Sequence, residues 1–80
     1  MIDPDCALQM LVIALRDRDV IVIEEVARGL LRWLDQGGQP PRKFGPLELD
    51  REWNVTVTRL FCAKALTVAE QIVEESTPPT

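Results

Sequence analysis

Val20–Gln36, VIVIEEVARGLLRWLDQ, decides the fold. Wound at about 100° per residue, Val22, Trp33, Val26, Leu30, Ile23, Leu34, Ala27, Val20 and Leu31 fill one continuous arc of roughly half the circumference. Glu24, Asp35, Arg28, Arg32, Glu25 and Gln36 fill the other half, and Ile21 is the one large apolar residue among them. A half-buried strand would alternate, and beyond Ile23 nothing alternates. The stretch is therefore an amphipathic helix, and Asp19 stands where its N-cap belongs. Gly29 falls on the polar side, where it costs about 1 kcal/mol of helix propensity relative to Ala; it reads as a tolerated surface glycine, with close approach by another backbone as the alternative. Glu24 precedes Arg28 by four residues, the favourable order for a surface pair.

Upstream, a first helix is expected over residues 4–16. Asp3 suits its N-cap, Pro4 its first position and Asp5 the positive end of its dipole. Ile13, Cys6, Met10, Ala14, Ala7, Leu11, Leu15, Leu8 and Val12 cover about 260° of this helix, which leaves a narrow polar strip of Asp5, Arg16 and Gln9. A helix apolar on so many sides needs covering on most of them. Only Asp17-Arg18-Asp19 separates it from the next helix, so the two form an antiparallel hairpin.

Downstream, Gly37-Gly38 closes the second helix. A loop follows through residue 49, with Pro40, Pro41, Gly45 and Pro46 as helix breakers. Pro40-Pro41 favours a stiff extended path, and Phe44 and Leu47 are expected to pin the loop to the helices. The third helix spans about 50–75, capped by Asp50 or starting as early as Pro46. Its apolar arc is Val57, Val68, Phe61, Ile72, Ala65, Ala69, Cys62, Val73 and Leu66. Trp53–Thr58 alternates like a strand, but the helical pattern continues for several turns past it. Glu74 and Glu75 sit at the negative end of the dipole, so residues 76–80 read as a frayed tail.

The fold class is thus all-α: a single domain of three helices, a small bundle with a tight first hairpin and a long loop before the third helix. The apolar surplus of the first helix points to completion by a homodimer, since closed two-fold dimers are the commonest assemblies.

Composition narrows the function classes. The chain has 80 residues, no His and a formal charge of -4. Without His it lacks the commonest general base and metal ligand, and its charge gives no broad attraction to nucleic acid or anionic lipid. The carboxylates sit at expected caps and solvated faces, with no metal-loop spacing among them. Cys6 and Cys62 fall on apolar arcs, where a thiol behaves as a small buried hydrophobe. No catalytic residue, cofactor site or metal site is legible. No basic leader precedes the short apolar run Ala7–Leu15, which is also too short to cross a bilayer, so a cytoplasmic protein is expected.

The reading that remains is a non-catalytic helical interaction or assembly module, acting through helix faces or the 37–49 loop. Its candidate contact residues are Trp33, Arg42, Lys43, Phe44 and Trp53, because Trp and Arg dominate interface hot spots and loops tolerate functional change. The expected partner is a second copy of the chain, with another protein as a further option. A small enzyme or ligand-binding protein with a pocket between helices is the alternative. A helix-turn-helix reading has less support, because the basic residues are scattered.

Overall fold

The computed structural model describes residues 3–42 and 50–76, and within them the chain forms three helices and no strand. These are α1 (Pro4–Asp17), α2 (Val20–Asp35) and α3 (Arg51–Ser76). Each begins on the aspartate expected to cap it. Asp3 accepts from the backbone N–H groups of Asp5 and Cys6, Asp19 from that of Val22 and Asp50 from that of Trp53. These bonds satisfy donors that a helix start leaves without an intrahelical partner.

The helix ends are as specific as the starts. At the end of α1, Arg18 takes the left-handed conformation, φ +55°, and Asp19 N–H reaches back to the Ala14 carbonyl at 2.9 Å. Asp19 thus closes one helix with its backbone and opens the next with its side chain. At the end of α2, Gly37 holds φ +82°, Gly37 N–H bonds to the Leu34 carbonyl and Gly38 N–H bonds to that of Trp33. This is the paired 5→2 and 6→1 closure that a left-handed glycine permits.

The core is a seam between α2 and α3. Ile23, Ala27, Leu30 and Leu34 are buried along α2, and Thr58, Cys62, Ala65, Ala69 and Ile72 along α3. Both sets repeat at spacings of three and four, the spacing that keeps two nearly parallel helix axes in register. Leucine and isoleucine on α2 meet mainly small residues on α3, which lets the two backbones approach. Leu11, Ile23 and Leu30 have almost no solvent contact, and burying each contributes roughly 1.5–3 kcal/mol. Two exposed ion pairs, Arg59–Asp35 at 2.8 Å and Arg18–Glu75 at 2.7 Å, lie toward opposite ends of the α2–α3 pair and match an antiparallel arrangement. α2 packs extensively on both other helices, whereas α1 and α3 share little contact.

Several expectations change. The buried stripe of α3 is rotated toward polar residues: Asn54 and Thr58 are buried, while Phe61, Leu66 and Val68 pack against the edge of the core, Val57 is partly exposed and Val73 is exposed. Thr58 satisfies its hydroxyl on the Asn54 carbonyl at 2.6 Å, one turn back, so a threonine can sit there without an orphaned donor. Glu75 pairs with Arg18 and the helix includes Ser76, the first residue of the stretch expected to be a frayed tail. Glu24 and Arg28 form no ion pair among the described residues; the pairs there link α3 to α2 and to the α1–α2 turn. Phe44, Leu47 and the possible early start at Pro46 lie outside the described residues, as do 77–80.

Residues 38–42 fold back over the α1–α2 hairpin. Pro40 and Pro41 are buried, and Arg42 N–H donates to the Asp5 carboxylate at 2.8 Å. Asp5 therefore holds a segment 37 residues away as well as standing at a helix start.

Candidate interaction surface

Helix 1 was the element with too much apolar surface, and the structure shows where the surplus goes. Leu8, Leu11 and Ala14 are buried, while Met10, Val12 and Ile13 are 50%, 41% and 47% exposed. Cys6 is also exposed, contrary to the buried position expected for it. The sequence could not separate these sets, because an arc of about 260° has no distinct centre to turn inward.

Cys6, Met10 and Ile13 lie within about 60° of one another on α1. Beside them on α2 run Val22, Val26 and Gly29, all partly exposed. A shallow groove of about 450 Å³ separates the two rows, lined by Cys6, Ala7, Met10, Val26, Gly29 and Leu30, with the carboxylates Asp3 and Glu25 also at its wall. A Cβ on Gly29 would meet nothing within 4 Å. Next to this face, the outer side of α2 carries a depression of about 330 Å³ lined by Ile21, Glu24, Glu25, Arg28 and Arg32. Ile21 is 77% exposed there.

The residues singled out from sequence fall in different places. Trp33 is half-buried at the end of α2. Its indole N–H donates to the Gln39 carbonyl at 2.7 Å, and its ring lies so close over Gly38 that a Cβ at that glycine would overlap it. Arg42 reaches the Gln39 side chain at 3.3 Å while its backbone holds Asp5. Both residues thus help to fasten the 38–42 segment. Trp53, on the first turn of α3, is 60% exposed and shares its flank with Leu60, 66% exposed. Lys43 and Phe44 lie outside the described residues. The face made by Cys6, Met10, Ile13, Val22, Val26 and Gly29 was not singled out from sequence; the excess girth of helix 1 was its only signal.

Electrostatics at this surface are simple. Arg18, Arg51 and Arg59 are engaged within the chain, with Glu75, the Gly37 carbonyl and Asp35. Glu25, Arg28 and Arg32 make no ion pair among the described residues. Burial pushes the Cys62 thiol up to about 11, so this cysteine is inert. Among the described residues no three His, Cys, Asp or Glu side chains converge as a metal site, and no helix is long and apolar enough to cross a membrane. No family model, curated protein or solved structure matches the chain.

Proposed function

We propose that this chain is a helical interaction or assembly module that acts by surface contact and carries out no chemistry of its own. The observation that supports this reading is the apolar face shared by α1 and α2. Met10 and Ile13 stand about half-exposed on it beside Val22 and Val26. Contiguous exposed apolar surface of this kind marks a contact site, since leaving it in water costs free energy that a covering partner recovers. Cys6 is an exposed free thiol, which fits a reducing, cytoplasmic setting.

The test is a paired substitution, Met10→Asp with Ile13→Asp. Both side chains already meet solvent, so the helical circular dichroism should stay that of the parent, while association through this face is lost. Association unchanged by the two carboxylates would defeat the reading. A second reading, an apolar small-molecule site, draws on the groove itself, whose volume of about 450 Å³ falls in the range of ligand sites. Saturable binding of one nonpolar fluorescent dye per chain, competed by no protein, would favour it.

A further inference from the structure

α1 packs on α2 and shares little contact with α3. One end of this helix pair is closed by the turn at Arg18 and Asp19. At the other end, where α1 starts, Asp3, Cys6 and Ala7 form part of the groove wall. We infer that residues 38–42 are a strap that closes this second end, and that Asp5 is the positioning residue that latches it. The inference rests on the interaction-module reading and concerns what holds that surface in shape.

The strap is fastened at its root and at its tip. At the root, Gly38 lies against the Trp33 ring, and the indole N–H donates to the Gln39 carbonyl at 2.7 Å. Arg51 of α3 donates to the Gly37 carbonyl at 3.1 Å, which ties the same root to the third helix. At the tip, Arg42 N–H donates to the Asp5 carboxylate at 2.8 Å. Pro40 and Pro41 are buried between the two.

The proline rings fix φ, so the piece from Gln39 to Arg42 has few torsions in which to absorb a movement at either end. A break at Asp5 therefore reaches Trp33. The same break frees the first turn of α1, where Cys6 and Ala7 follow Asp5 directly. A groove tied at both ends is already in its binding shape, which spares an occupant the cost of ordering it.

The test is hydrogen exchange of the Trp33 indole N–H followed by NMR, with the exposed Trp53 indole as the reference in the same spectrum. Asp5→Ala removes the acceptor at the far end of the strap and should speed Trp33 exchange by about tenfold, the effect of losing one hydrogen bond to a charged group. Asp5→Asn keeps an acceptor oxygen and should restore most of the protection. Asp3→Ala removes the N-cap of the same helix without touching the strap, and should leave Trp33 as in the parent. Because the donor is a main-chain N–H, Arg42→Pro should act like Asp5→Ala, whereas Arg42→Ala should stay close to the parent. Equal effects of Asp3→Ala and Asp5→Ala would reduce Asp5 to a helix-start residue and overturn the latch. An Asp5→Asn variant as impaired as Asp5→Ala would do the same, and so would a Trp33 N–H indifferent to both Asp5→Ala and Arg42→Pro. None of these readouts needs a partner. Met10→Asp with Ile13→Asp, which tests the contact reading, should leave the Trp33 N–H protected, so either idea can fall without the other.

Discussion

A thiol with no water around it resists ionisation, and Cys62 is fully buried among Ala65, Ala69 and the α2 seam. An unfolded chain loses this proton near pH 9, the folded chain only near 11. Below pH 9 both states keep the proton and Cys62 adds no pH dependence. As pH rises from 9 toward 11 the unfolded state is favoured, and stability falls by up to about 2–3 kcal/mol from this group. Denaturant unfolding at about pH 8 and about pH 10.5 should show a larger loss for the parent than for Cys62→Ala. Equal losses would show that the thiol is not the source. A second residue-scale outcome concerns Gly38. A methyl group there would collide with the Trp33 indole, so Gly38→Ala should destabilise by about 1–3 kcal/mol. In a Trp33→Leu background the same change should cost far less, and the double-mutant cycle measures the coupling. If the cost persists in that background, the backbone rather than the indole forbids the side chain.

At the scale of elements, the α1–α2 turn stores a small strain. Arg18 holds φ +55° with a full side chain, where a left-handed backbone costs roughly 1–2 kcal/mol for residues other than glycine. Its exposed ion pair with Glu75 returns little, about 0–1 kcal/mol. Arg18→Gly should therefore raise the unfolding free energy by about 0.5–1 kcal/mol, with Glu75→Gln giving the share due to the ion pair; a loss of stability in Arg18→Gly beyond that share would contradict the assignment. The helix starts were legible because capping is local: Asp3, Asp19 and Asp50 each need only the next two or three residues. The rotation of α3 was not legible. Hydropathy ranks Val57 and Phe61 above Asn54 and Thr58, yet the seam selects small side chains that admit Leu30 and Leu34. The fold-back of residues 38–42 was equally hidden, since the bond from Arg42 to Asp5 depends on where two distant segments meet. The contact face itself was legible only as an unexplained excess on helix 1, with no phase to place it.

For the whole molecule, α2 is the shared wall and α1 leans on it by one face. Native-state hydrogen exchange at low protein concentration should find the amides of α2 slowest and those of α1 faster, because α1 has little else to hold it. If α1 and α2 exchange as one unit, the hairpin is a single cooperative element and the face it presents is rigid. The arrangement also bears on the order of events during folding. Both extensive helix–helix contacts join neighbours in the chain, α1 with α2 and α2 with α3. No remote segment has to be found before stabilising contacts begin, so the search is short and folding should be fast for the chain's length. The two sides are still unequal: α1 and α2 are separated by two residues, whereas α3 must return across a span of fifteen. Closing the longer span costs more chain entropy. The hairpin that bears the apolar face is thus the part able to form first, and a nascent chain presents that face before its third helix arrives.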